Sequence, residues 1–506
     1  MKKLAIISTI VLGLAATSCD SYLDINQNPN SPAESNMTPS IMMPAAEMNL
    51  AATYGSLMRI PAGYYTQHFA HAFGTSNYVD YSQFQMSATR SSTAYSQMMR
   101  GALKNLETIR TLSRESEEWG TYLAATTLRA FAFQSLVDCY GEVPFSEAFD
   151  VSNPTPHYDE GSSIYSALIA ELDEALANVS TTDPVCTNFL FQGSNNATNW
   201  IRFANTVKLK ILSRESGVAS VDSQIGALIS EDNMITSDVA YAGIWSSESG
   251  GMNPYWSEEF ATNFGSTQIN VVANVAIINT MLQKDSEGAV VYEDPRLAAF
   301  FEPNGSGEYT GGISGTNFST SESYKSTYWC RPVASYDMPL YLITVAEKEF
   351  FISEYYARTG NSSAAAEHYA AAIEASFATA GVDGAAENIA QFPYDQSNYK
   401  KSIGVSKWIA LAGINNYESW CELRRLRYPA FGSVKGSDMY NLQTDDSYKP
   451  ELLAPATLYT PIQVFGQVGD NHLLERYPYP SSSTSSNSNA PTFSNSDYTK
   501  PVFWAN

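Results

Sequence analysis

Between Tyr64 and Tyr81 the chain crowds Tyr64, Tyr65, Phe69, Tyr78 and Tyr81 together with Gln67, Thr75, Ser76 and Asn77, and no sustained helical or strand period runs through them. Such residues can bind sugars: ring faces lie against the apolar C–H faces of a pyranose, while amides and hydroxyls reach its hydroxyl groups. The same residues would also serve as a packed loop between two helices. His68 and His71 are three apart and could share a helix face, but no Glu makes an H-E-x-x-H arrangement and no Cys is near, so no metal site is expected. Asp24, Asn26 and Asn28 fall at positions 1, 3 and 5 of a calcium loop. Pro29 stands where that loop needs glycine and Ser35 where it needs a bidentate Glu, which rejects it. Glu258 and Glu259 follow Trp256, yet adjacent carboxylates do not make the opposed acid and nucleophile of a glycosidase. Gly305, Gly307 and Gly311 miss the dinucleotide spacing by one residue, and no G-x-S-x-G or P-loop is present. The chemistry expected is binding without catalysis, cofactor or metal.

Charge narrows the partners. Lys and Arg number 29 against 52 Asp and Glu, a formal net charge of -23, which repels nucleic acid and anionic lipid. Lys2 and Lys3 precede an apolar run from Leu4 to Ala16, the length of a signal-peptide core and too short to span a bilayer. Ala16-Thr17-Ser18-Cys19 resembles a bacterial lipobox, so residues 1–18 are expected to be removed and Cys19 to be acylated; a plain secretory signal is the alternative. Cys139, Cys186, Cys330 and Cys421 make no C-x-x-C pair and allow three disulfide connectivities. Apolar helical surroundings favour free buried thiols at Cys139 and Cys421.

Helical stretches must hold these residues in place. Met37 to Arg59 reads as a Met/Ala/Leu-rich helix. In Leu128 to Phe145 (LRAFAFQSLVDCYGEVPF), Phe133, Leu136, Val137 and Tyr140 recur at i, i+3, i+4 and i+7, and Leu128, Phe131 and Ala132 add a second stripe. A helix greasy on two sides is packed from both, and Gly141 and Pro144 end it. Tyr81–Leu112 and Glu118–Cys139 form a first antiparallel pair. Ser162 can cap a helix with Tyr165, Leu168, Leu172 and Leu176 on one face, and Thr198 opens its partner. Pro339 suits the first turn of Leu340–Arg358, followed by a helix from Ser362 or Ser363 to Ala380. Lys400–Leu411 and Asn415–Arg427 make the fourth pair, with Arg424, Arg425 and Arg427 complementing the last helix's dipole. Ala365, Tyr369 and Ala372 show the small/aromatic alternation of a tetratricopeptide repeat. From Ser216 to Met338 the period lapses into Gly, Ser, Asn and aromatics, a long insertion of the kind that carries function.

Four of these strings, in order, carry a family resemblance: Leu128–Phe145, W-x-x-F-A-N-x-x-K-L-K from Trp200, Y-E-S-W-C-E-L-R-R-L-R-Y-P from Tyr417, and Arg476-Tyr477-Pro478-Tyr479-Pro480. Together with the tether Tyr22–Pro32 they resemble SusD/RagB-family outer-membrane lipoproteins. Relatives often carry a Glu shortly after the Tyr-Pro, and Ser481 to Ser486 contains none. The resemblance implies an all-α fold of about four tetratricopeptide-like pairs (81–215 and 339–427), an irregular ligand-facing insertion (216–338) and a loop-rich tail (428–506), all one domain over 19–506. It also implies a lipid-anchored protein on the outer membrane's cell surface that delivers oligosaccharides, or in some members peptides, to a SusC-like TonB-dependent transporter. On that footing Tyr78, Tyr81, Trp245, Tyr255, Trp256 and Trp329 are the stacking candidates. A secreted glycoside hydrolase and a pure protein-interaction scaffold are the other readings.

Overall fold

The computed structural model describes residues 37–72, 77–261, 270–315, 329–440 and 448–505; Cys19 and the Tyr22–Pro32 tether lie outside them. Helices dominate. α1 (Pro39–Ala52) continues through a widened segment, Thr53–Met58, into α2 (Arg59–Tyr65). Gly55 lies in that wide turn, where a Cβ would stand 2.1 Å from Leu340 Cδ1, so glycine permits the close approach. α3 (Lys104–Glu115) packs on α4 (Trp119–Tyr140), and α4 packs on both α5 (Gly161–Asn178) and α6 (Thr198–Glu215). After the irregular region come α7 (Val275–Met281), then α8 (Val345–Arg358) against α9 (Ser362–Ala380), the short α10 (Ala385–Gln391), and α11 (Tyr399–Leu411) against α12 (Asn416–Leu426).

Local chemistry explains most boundaries. Every residue of α4 from Gly120 to Tyr140 is buried, as the double stripe requires, and Gly141 ends it at φ 86°. Asn361 and Asn415 cap α9 and α12 through their side chains. Three expectations shift. The helix after Tyr81 is only the turn Val79–Ser82, and regular helix resumes at Ala88 behind a Ser87 cap. α5 begins at Gly161 with Glu160 before it, so Ser162 is inside the helix. Leu340–Ile343 is a strand: this apolar run pairs antiparallel with Val239–Tyr241, and Thr344 starts α8 with a capping box to Glu347.

Short ladders also pin the insertion. Phe69–His71 pairs with Val271–Ala273, and Leu282–Lys284 with Val290–Glu293, both antiparallel. Ala430–Lys435 runs parallel to Thr457–Thr460. One core fills α1 to α6 and reaches Trp420 and Trp504, and a second gathers α7, these ladders and one side of α11. Cys139, Cys186, Cys330 and Cys421 are all free thiols.

The scaffold core is unusually ionic. Arg214 of α6, with no exposed surface, meets Glu418 at 2.6 Å, Glu422, and Asp138 at 3.4 Å. Lys210 joins Glu418 at 2.8 Å, Lys407 joins Glu422 at 3.0 Å, and Arg425 bridges Glu422 and Glu354. Four acids thus face four bases largely out of water; Arg424 is buried and the half-buried Arg425 turns its side chain onto Glu422 and Glu354 rather than to a solvated helix end.

Glu47 of α1 is the opposite case, a buried carboxyl with no cation against it among the described residues. It accepts from the backbone N–H of Phe189 at 2.6 Å and Leu190 at 3.1 Å, and burial pushes its pKa from 4.5 up to about 8. Between those values the folded state holds a proton that the unfolded chain releases, so its contribution to stability falls as pH rises, by at most about 1.4 kcal/mol per unit. Glu47→Gln cannot ionise. Urea unfolding of both proteins is expected to show the variant less stable at pH 5 and recovering relative to the parent by pH 8.5.

Candidate functional site

The end of α2 sets the first ring of a connected aromatic series. Tyr64 touches Tyr78 (centroids 6.0 Å), Tyr81 (6.2 Å) and Phe69 (6.3 Å). Tyr78 and Tyr81 stack on each other at 5.4 Å and 14°, brought together by the left-handed backbone of Tyr78 and the turn that follows. Arg90 lies 4.9 Å over the Tyr81 ring while its Nε meets Asp80 at 2.5 Å, which fixes that ring. Phe69 stacks on Tyr255 (6.2 Å, 9°), Tyr255 meets Phe260 edge-on, and Phe260 stacks on Trp256 (5.1 Å, 13°). Asn253 organises the far end, accepting from Tyr255 N–H at 2.9 Å and donating to the Met338 carbonyl at 2.8 Å.

Beneath this series sits Glu259, buried, accepting from the N–H of Asn270 (3.0 Å) and Val271 (2.9 Å). Burial pushes its pKa up to about 8, so at neutral pH it is largely the protonated acid. Its backbone bonds hold the ladder that carries the rings. His68 is likewise structural: its two ring nitrogens are occupied by the Trp408 carbonyl (3.0 Å) and the Asn416 amide (2.9 Å), and burial lowers its pKa to about 3.

The six expected stacking residues fall into separate groups. Tyr78, Tyr81, Tyr255 and Trp256 belong to the one ring series, but only Trp256 is half-exposed; Tyr78 and Tyr81 each keep 8% of their surface. Tyr255 has no exposed surface and carries the Arg59 guanidinium 4.3 Å over its ring, so it is a core residue, a correction to its expected role. Trp329 is also corrected: it is buried in the second core, edge-on to Tyr448 at 4.8 Å. Trp245 is half-exposed, its indole N–H bonded to the Tyr241 carbonyl at 3.1 Å, and it makes no ring contact with the others among the described residues.

Sequence reading missed two clefts. One, of about 800 Å³, lies between the Leu282–Glu293 hairpin and the segment 448–455, and Tyr309 and Tyr448 line it. The other, of about 350 Å³, lies between α10 and the start of α11, lined by Phe392, Asn398 and Lys401. Their residues are scattered over more than a hundred positions, and no local pattern marks them.

A family model described as "Starch-binding associating with outer membrane", SusD-like, matches residues 29–447. The chain belongs to the SusD-like family. A search of curated proteins finds no match. Solved structures share its fold: a SusD homologue from Bacteroides uniformis at 21% identity and TM-score 0.71 covers 92% of this chain and 99% of its own. A chitin-binding SusD homologue from Flavobacterium johnsoniae, at 18% identity and TM-score 0.69, covers 91% and 98%. The SusD-like fold thus extends over the helical scaffold and the aromatic insertion alike.

Proposed function

We propose that this SusD-like protein captures oligosaccharides at the cell surface and passes them, without cleavage, to a SusC-like TonB-dependent transporter. The observation that carries the reading is the ring series ending at half-exposed Trp256, in a chain matched by a starch-binding family model. Acylated Cys19 would hold the domain at the outer membrane, with the helical-pair scaffold toward the transporter and the aromatic insertion toward the nutrient. A few stacking contacts give weak binding, which suits a protein that must let its cargo go. Among the described residues no pair of opposed carboxylates is placed on the ring series, and Glu259 accepts from backbone N–H groups.

Purified protein starting at Cys19 is expected to retard on gels containing neutral polysaccharides and to release no products from them. Trp256→Ala should weaken binding about fivefold with an unchanged melting temperature. Peptide binding with silence across glycans would move the protein to the peptide-importing branch, and sustained hydrolysis would make it an enzyme.

A further inference from the structure

The two clefts share Gln283 and Pro455, so they adjoin as one elongated groove, and none of its lining residues belongs to the ring series of Tyr78 to Trp256. We infer that this groove is a second glycan site, which takes an extended, uncharged stretch of the same polysaccharide; the inference rests on glycan capture as the function.

Three features of the groove carry it. First, aromatic faces stand fixed at both ends. Tyr448 donates to the Gly311 carbonyl at 2.5 Å and is braced by Trp329, Tyr309 is half-buried against the second core, and Phe392 is held edge-on by Tyr292 at 6.0 Å. A ring already immobilised costs little entropy when a sugar stacks on it. Trp329 therefore acts behind a binding surface rather than on it.

Second, amides line the middle. Gln391 donates to Gln283 Oε1 at 2.9 Å where the clefts meet, and Gln283 donates to the Thr280 carbonyl at 3.2 Å. Asn279 gives its N–H groups to the carbonyls of Pro450 (2.7 Å) and Leu453 (3.0 Å). These bonds orient the amides and leave the Oε1 of Gln391 and the Oδ1 of Asn279 as acceptors for hydroxyl groups. Fixed rings interrupted by oriented amides match a pyranose chain, apolar on its ring faces and polar at its edges.

Third, the charge is selective. Asp285, Glu287, Glu451 and Asp395 line the groove against Lys284 and Lys401. A uronate or sulfated chain would meet net like charge, and a neutral chain would not.

The test compares starch-derived and chitin-derived chains of increasing length by calorimetry. The proteins are the parent, Tyr309→Ala, Gln391→Ala, the cleft-filling Ala454→Trp, and Trp256→Ala. With two sites on one chain, the parent's affinity should rise steeply with length. Each groove variant should lose about fivefold on long chains and little on the shortest, at unchanged melting temperature, whereas Trp256→Ala should lose on both. A sulfated chain of equal length should gain nothing from the groove. Long chains bound equally by parent and all three groove variants would overturn the second site and leave capture standing. A parent that binds no glycan of any length would overturn both.

Discussion

Arg214→Met is expected to cost about 3–5 kcal/mol of stability, read as a lowered urea midpoint with an unchanged slope. Arg214 touches Asp138 of α4 and both Glu418 and Glu422 of α12 at once, so its removal leaves four acids against three bases in this network. Water cannot reach these carboxylates to compensate. Burial already pushes Asp138 upward, and burial, helped by nearby Glu418, raises Glu347 to about 7. Without Arg214 these groups must bind protons or the helices must part. Arg214→Lys keeps the charge but not the fork that reaches three carboxylates at once, and should recover only part of the loss. Stability equal to the parent in Arg214→Met would show that the network contributes nothing net.

Trp420→Ala should be of similar size, about 3–5 kcal/mol. This indole is fully buried, stacked on Tyr477 (5.1 Å, 21°) and close to Tyr65 (5.8 Å), with its N–H donated to the Leu474 carbonyl at 3.0 Å. Arg424 lies 3.5 Å over its ring and donates to the carbonyls of Asp138 (2.9 Å) and Glu475 (2.5 Å). The truncation therefore opens a cavity, strands a carbonyl and loosens an arginine that joins α4 to the tail. Because Tyr65 adjoins Tyr81, glycan affinity at the ring series should fall along with the melting temperature.

Helices were legible where a sustained apolar period marked them. The double stripe of α4 and its Gly141 stop, and the paired helices before and after the insertion, follow from spacing alone, whereas the Asn361 and Asn415 caps appear only in the structure. What depended on distant partners was not. Leu340–Ile343 read as helix behind Pro339 because its strand partner, Val239–Tyr241, lies a hundred residues earlier. Arg424 and Arg425 read as cations at a helix end, since nothing in their neighbourhood announces Asp138, Glu354 or Glu475. Among the aromatics, residue type picked out Tyr78, Tyr81, Tyr255 and Trp256 along with Trp245 and Trp329, but could not show which of them share one series or which are buried. Tyr255 and Trp329 proved to be packing residues, and the clefts stayed invisible because their walls come from separate segments.

Trp504 donates to Asp138 across 366 positions at 2.8 Å, and Arg427 donates to the Ala505 carbonyl at 2.7 Å. Read as a timetable of synthesis, those two bonds mean that α4, made early and greasy on both sides, waits for nearly all that follows before its carboxylate, already met by Tyr165 and Arg214, gains the last of its partners. Closing so long a loop is slow compared with forming the helical hairpins beside it. The hairpins can therefore appear while the chain is still lengthening, and the finished scaffold cannot, so the protein passes through a long interval in which it is helical, incomplete and dependent on whatever keeps α4 from the wrong company.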